Sequence, residues 1–406
     1  MWLVITETIA PLVSLFVFVL GTGYFATLLA LIMTLNQAPT LAVGAMTGIF
    51  YAGLVFGSFR IERFIFRVGH IRAYAAFSST LAAICLLHGM IYSLWFWMIL
   101  RFIAGFVTAG LFVVIESWLL CKSTRINRGQ VLSLYMIVFY AAQSLGQFFL
   151  TFGDPATLYL FAVSSILCSL SILPLAMTHV RSPQYEEPST LSLTKLLDYS
   201  ASGLLGCFSA GLIMGAIYGL LPLFLNNVFH NKAHVAQHMF AVIMGGMLLQ
   251  YPVGKLSDII ERRLVLIMIA MATILTSTAV FFLPKDTWLF FAVIALFGGL
   301  TFTIYPISIA HACDTLDTAD IVAGTQSLLL AYSIGAMVGP FVAPLFMHLM
   351  DGYGLFIYFI GICLLTIPVF IMRKVHKADT PQEDPILLIP QTSPILLELD
   401  PRSGTE

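Results

Sequence analysis

Gly254-Lys-Leu-Ser-Asp-Ile-Ile-Glu-Arg-Arg263 is one of the few densely charged stretches in a chain of 406 residues that is only 10% charged. Apolar runs too long for ordinary core helices flank it on both sides. An earlier stretch, Gly57-Ser-Phe-Arg-Ile-Glu-Arg-Phe-Ile-Phe-Arg-Val-Gly-His-Ile-Arg72, takes the equivalent place in the first half. A glycine, a basic cluster and an immediate return to apolar sequence describe a tight turn between two membrane-crossing helices. The two copies differ at one point. Asp258 follows Gly254 by four residues, whereas Ile61 stands four residues after Gly57.

Composition supports the same reading. The chain is 59% hydrophobic with a mean hydropathy of +0.96, more apolar surface than a soluble fold hides. A net charge of −1 without a basic patch gives no sign of nucleic-acid binding. Six cysteines (Cys85, Cys121, Cys168, Cys207, Cys313 and Cys363) are scattered through apolar runs. Their spacing suits neither a disulfide framework nor a metal site, and they read as small packing residues. The first apolar run has no basic segment before it and no small-residue cleavage site, so it reads as a retained span. No metal or cofactor is expected.

A bilayer core about 30 Å thick needs roughly 20 apolar residues per helix. On that ruler the sequence predicts an all-α membrane protein with twelve spans: 8–34, 41–59, 73–92, 94–119, 131–152, 157–177, 199–227, 235–253, 264–283, 288–312, 321–347 and 353–373. Numbered in that order as helices 1 to 12, they alternate between two kinds of connection. The basic residues gather in 60–72, 122–128, 178–198, 254–263 and after helix 12, while the opposite connections hold only Lys232 and Lys285. Basic loops stay in the cytoplasm, so both termini are expected there.

The longest polar break, 178–198, divides the spans six and six. The expected organisation is an N-terminal bundle (1–177), an inter-domain loop (178–198), a C-terminal bundle (199–375) and a Pro-rich, acidic disordered tail (376–406). Features repeat across the break: Gly21-Thr-Gly-Tyr24 in helix 1 and Gly211-Leu-Ile-Met-Gly-Ala-Ile-Tyr218 in helix 7, Ser144-Leu-Gly-Gln147 in helix 5 and Tyr332-Ser-Ile-Gly-Ala-Met-Val-Gly-Pro340 in helix 11. Two parallel halves enclosing a site near the midplane would produce such a repeat.

The pattern Gly254, Asp258, Arg262, Arg263 resembles the loop signature of the major facilitator superfamily, which joins helices 2 to 3 and 8 to 9. Arg101-Phe-Ile-Ala-Gly105, Glu116-Ser-Trp-Leu119, Tyr305-Pro306 and Ala310-His-Ala-Cys-Asp314 extend the similarity to the YcaD-type branch of bacterial inner-membrane carriers. The resemblance covers nearly all of residues 10–375. It implies a 6+6 major facilitator fold and a secondary transporter that moves a small solute by alternating access, with protons as coupling ion. It also implies a gating role at the basic ends for Gly57, Arg63, Arg67, Gly69, Arg72, Glu116, Gly254, Asp258, Arg262, Arg263 and Asp314. A monomer in the bacterial inner membrane, with a small-molecule substrate and the lipid bilayer as its partners, is the expected setting. The alternative is a facilitator-fold sensor or assembly partner that no longer transports, which Ile61 at the aspartate position would suit.

An ionised side chain near a helix centre costs about 2.5–3.5 kcal/mol on insertion scales, so each one invites a reason. Arg101 matches the helix-4 arginine that the resemblance links to proton coupling or to packing against helix 1, and it is expected in the substrate cavity; the alternatives are snorkelling toward the headgroups or a hydrogen bond to carbonyls of helix 1. Glu116 follows it by 15 residues, about 22 Å along a helix, and is expected to pair with Arg63 or Arg67 as a gate or to carry the proton. His311 is the second proton candidate. Uncharged polar groups and aromatics supply the rest of the expected cavity: Tyr24, Thr27, Gln143, Gln147, Tyr218, Tyr305 and Tyr332. With so few fixed charges, a neutral or amphipathic cargo fits better than a dianion.

Overall fold

In a bilayer each backbone N–H and C=O must find its partner within the protein, so long apolar runs close into helices. The computed structural model describes residues 2–122, 128–177, 193–314, 316, 321–350 and 352–372. These hold twelve helices long and apolar enough to cross a membrane. Helices 1 to 6 are Ile9–Leu35, Thr40–Ile61, His70–Met90, Leu94–Leu119, Gln130–Phe152 and Leu158–Ala176. Helices 7 to 12 are Ser200–Phe229, Lys232–Ile259, Arg262–Phe282, Trp288–Cys313, Gly324–Met347 and Gly354–Ile371. The segment 178–192, Arg125 and the tail from Arg373 onward lie outside the described residues.

The basic connections are shorter than the sequence predicts. Helix continues through Thr40–Val68 and restarts at His70, so Gly57 lies inside helix 2 and Gly69 makes the turn. Its φ of +88° is open to glycine at little cost. In the second half Gly254 lies inside helix 8, and the turn is confined to Ile260 and Glu261.

Glycines fix which helices touch, and they do so twice over. Gly53 and Gly105 bring helix 2 against helix 4, where an added Cβ would sit 2.0 Å from the carbonyl oxygens of Phe102 and Phe50. Gly245 and Gly298 do the same for helices 8 and 10, at Ala295 and Val242. Gly23 and Gly146 join helix 1 to helix 5, and Gly211 and Gly335 join helix 7 to helix 11. Backbones in such pairs approach closely because no side chain intervenes. The repeated pairing, 2·4 with 8·10 and 1·5 with 7·11, is the structural form of the repeat seen in the sequence.

The halves meet where helix 7 lies against helices 1 and 2, with Gly219 on Thr47, and along two flanking seams. At the arginine-poor end, Gly44 and Gly48 of helix 2 lie on the carbonyls of Pro340 and Met337 in helix 11. Pro344 has no N–H to offer Pro340 O, and Pro340 has none for Ala336 O. Both carbonyls released in this way receive a glycine, Gly44 on the first and Gly215 of helix 7 on the second. The other seam, between helices 5 and 8, is made of side chains. Phe148 packs on Phe240 at 4.9 Å, Lys232 donates to Gly153 O, and Gln250 Nε2 donates to the Tyr140 hydroxyl at 3.1 Å.

Candidate functional site

A cavity of about 150 Å³ lies at mid-depth, walled by helices 1 to 5 and touched from the second half by Tyr218 and Tyr332. Two interrupted helices shape it. Helix 1 stops at Thr22 and restarts at Phe25, and helix 5 stops at Gly146 and resumes at Phe149. The breaks meet each other through one side chain. Gln147 Nε2 donates to the Gly23 carbonyl at 2.7 Å, and Thr27 Oγ1 donates to Gln147 Oε1 at 3.0 Å. A carbonyl left over at a helix break inside a membrane thus gains a partner from the other broken helix.

Arg101 is the charged group of the cavity wall. It is 6% exposed and sits on the helix-4 face formed by Arg101, Ala104, Thr108 and Phe112. Its Nε donates to Met46 O at 3.2 Å, and its Cζ stands 4.3 Å from the centre of the Phe50 ring. Both partners are on helix 2, which corrects the expectation of helix 1. The close 2·4 packing at Gly53 and Gly105 places that carbonyl and that ring within reach. Among the described residues, the ion pairs are Arg262–Asp258 and Arg262–Asp314, so no carboxylate answers Arg101.

Four of the eight expected cavity residues line it: Arg101, Gln143, Tyr218 and Tyr332. Gln143 Oε1 accepts from the Tyr218 hydroxyl at 3.3 Å, a bond between the two halves. The other four face protein. Tyr24 donates to Leu160 O at 2.7 Å and accepts from Ser164, tying helix 1 to helix 6. Thr27 and Gln147 are spent on the paired breaks. Tyr305 is fully buried, with its ring 4.6 Å from that of Tyr332. Sequence reasoning missed Tyr51, Thr47, Thr108 and Cys85, which all line the cavity. The spacing of Thr47 and Tyr51, four apart and so on one helix face, was the signal available.

Glu116 is fully buried three residues from the end of helix 4, and its Oε1 accepts from the Tyr135 hydroxyl of helix 5 at 2.9 Å. Arg63 and Arg67 are exposed, and neither is ion-paired with it in this structure. Arg72 is exposed too. His311, 5% exposed, exchanges a hydrogen bond with Ser202 Oγ at 2.8 Å and so joins helix 10 to helix 7.

The second half carries a denser cluster at the arginine-rich end. Arg262 reaches Asp258 at 3.6 Å across the 8–9 turn, and donates to Asp314 and, at 2.9 Å, to Ala310 O at the end of helix 10. Arg263 donates to Phe370 O and Ile371 O of helix 12. Two adjacent arginines therefore hold the ends of helices 8, 9, 10 and 12 together.

Comparison with known proteins places this architecture. The model of the family described as Major Facilitator Superfamily matches residues 12–329 and 203–397. A protein of Escherichia fergusonii named "Uncharacterized MFS-type transporter YcaD" is 32% identical over 369 residues, 90% of this chain and 95% of its own length. A namesake from a strain of Escherichia coli is 31% identical over 372 residues, 91% of this chain and 95% of its own. Among solved structures, the nucleoside transporter NupG aligns with a TM-score of 0.70 at 14% identity, over 92% of this chain and 100% of that one. A bacterial homolog of the human lysosomal transporter Spinster, in an inward-facing and occupied conformation, aligns at 0.71 and 13% identity, over 89% and 94%. Identities this low speak for the fold alone.

Proposed function

The chain belongs to the major facilitator superfamily and is a membrane transporter, and we propose that it carries a small amphipathic solute by alternating access around the cavity of helices 1 to 5, coupled to protons. The observation that carries this reading is the position of the cavity. It lies beneath a seam closed at the arginine-poor end by Gly44 on Pro340 and Gly48 on Met337, and Tyr218 and Tyr332 reach it from the opposite half. A solute held there touches both halves, so its binding energy can differ between two arrangements of them. With the basic ends in the cytoplasm of a bacterial inner membrane, the seam of Gly44 on Pro340 would face the periplasm.

Glu116 supports coupling. It is the one carboxyl of helix 4, fully buried near the basic end of the bundle and hydrogen-bonded to Tyr135 of helix 5, so a change at that end can reach it. Ile61 gives no weight to a non-transporting sensor, because a buried packing role accounts for it. It is fully buried, and its Cδ1 lies 2.9 Å from where a Cβ on Gly110 would be.

Cysteines placed at Gln143 and Tyr218 test alternating access, after replacement of the six native ones. Their reactivity toward membrane-impermeant thiol reagents should shift between the two sides when a carried solute is added. One fixed pattern, unchanged by every solute, counts against alternating access. Proton coupling is checked in proteoliposomes with an imposed pH gradient. Glu116→Gln should abolish gradient-driven movement and spare exchange of solute down its own gradient. Full gradient-driven activity in Glu116→Gln would remove this residue from the coupling path. The direction of movement in the same assay separates uptake from efflux.

A further inference from the structure

We propose that the transported solute is a small organic monocarboxylate, anchored by its carboxylate on Arg101 with an apolar body about the size of a benzene ring. The inference rests on the transport reading above and names the substrate class of that same cavity.

The charge balance is the starting point. Arg101 is 94% buried within a membrane-crossing helix, yet its partners among the described residues are one carbonyl oxygen and one aromatic face. Neither carries a negative charge. Its Nε is used on Met46 O, while the two Nη groups are bonded to no described residue and are not among the fully enclosed polar atoms. They therefore meet the cavity that the side chain lines. A guanidinium with Nη donors open to a cavity offers the parallel pair of N–H groups that a carboxylate accepts.

The rest of the wall agrees on sign. Gln143 uses its Oε1 on the Tyr218 hydroxyl, which leaves the amide Nε2 hydrogens as donors. Tyr51 and Tyr332 add neutral hydroxyl groups to the same wall. Among the described residues, no aspartate or glutamate lines the cavity. One fixed cation without a carboxylate matches a single negative charge. A phosphate monoester would bring nearly two, and the ammonium of a free amino acid would have no acid to meet.

The remaining surface is apolar, with Phe18, Leu54, Leu81, Phe112 and Phe139 around the polar groups. The cavity's volume of about 150 Å³ is comparable to that of a cavity that takes up benzene, which sets the scale of the solute's apolar body. Carboxylate at one end and a ring or a short branched chain at the other is the shape that fits.

Benzoate and its neutral isostere benzamide make the test, titrated calorimetrically into the full-length protein in detergent. Wild type should prefer benzoate by about tenfold to a hundredfold, as a bidentate charge-assisted contact predicts. Arg101→Gln should reduce that preference to about twofold or less, and Arg101→Lys should retain only part of it, because an ammonium keeps the charge and loses the fork. Equal affinity for the two probes, a preference that survives Arg101→Gln, or no binding of benzoate at millimolar concentration would each overturn the proposal. If Arg101→Gln does not fold, the wild-type comparison decides by itself. Proteoliposome exchange, corrected for leak in protein-free vesicles, separates this from the transport reading. Benzoate bound through Arg101 but never carried would uphold the site and count against transport. A neutral solute carried in preference to benzoate would uphold transport and overturn the carboxylate.

Discussion

In the first half, the residue four places after the loop glycine is Ile61, fully buried against helix 4 at Gly110; in the second half it is Asp258, with 37% of its side chain exposed and an arginine across the turn. The glycines themselves diverge in the same way. A Cβ on Gly57 would lie 2.8 Å from Phe106 O and 2.9 Å from the Ala109 Cβ, whereas nothing lies within 4 Å of one on Gly254. One pattern therefore does packing work in one half and electrostatic work in the other. The cavity follows the same division. Its wall and its cation come from the first half, and the second half contributes two tyrosines, while Arg262 and Arg263 bind four helix ends of the second half into one unit. Repeated sequence predicts repeated backbone, and it leaves each copy free to take its own chemistry.

Exchanging the two fourth-position residues breaks this comparison most severely. Ile61→Asp would put a carboxylate into a fully buried apolar site, at a cost of several kcal/mol unless it is paired or protonated. The expected outcome is a protein that fails to extract as a monodisperse species or unfolds at much lower temperature. Asp258→Ile removes a partly exposed ion pair worth about 1 kcal/mol or less, and should extract and melt close to wild type. Similar melting of the two variants would erase the distinction between the halves.

The glycines give a smaller effect with opposite signs. Gly57→Ala forces a methyl group into a helix contact that has no room for it, an overpacking that typically costs about 1–3 kcal/mol. Gly254→Ala meets open space within a helix, where alanine is favoured over glycine by about 0.8–1 kcal/mol. Thermal unfolding in the same detergent should therefore move down for the first and up or not at all for the second. A stabilising Gly57→Ala would mean that helices 2 and 4 stand further apart than described.

Much of this was legible in the sequence, and what was not has a physical cause. Twelve spans and their grouping follow from hydropathy and length, since the bilayer imposes both. Arg101 and Gln143 stand out because polar groups are rare in such helices. A polar group in a membrane helix must have a partner, but the residue does not say whether that partner is protein or solute. Gln143 and Gln147 share a helix face, yet Gln147 is taken up by the Gly23 carbonyl because helix 5 breaks immediately beside it. That break depends on a different helix, and no local pattern reports it. Tyr51 and Thr108 escaped notice for a related reason. Membrane helices are apolar toward lipid as well as toward the core, so periodicity does not tell the cavity face from the others. The end of helix 2 was misplaced because Gly57 and Gly69 both read as turn residues, and only the positive φ at Gly69 decides between them.

The mildest substitutions sharpen the comparison within the second half itself. Arg262 divides its guanidinium among Asp258 at 3.6 Å, Asp314 and the Ala310 carbonyl. A partly exposed ion pair contributes about 0.2–1 kcal/mol, so Asp258→Asn should lower stability by no more than that. Asp314→Asn should cost more, because Asp314 accepts a hydrogen bond from the same nitrogen that holds Ala310 O and so fixes how helix 9 meets helix 10. Combining each with Arg262→Gln gives two double-mutant cycles, and the coupling energy should be larger for Asp314 than for Asp258. Added salt should shrink the Asp258 coupling first, since the two aspartates are similarly exposed and the longer pair is the more readily screened. The reverse order, with Asp258 dominant, would shift the work of the cluster from the end of helix 10 to the 8–9 turn, where the sequence motif alone had placed it.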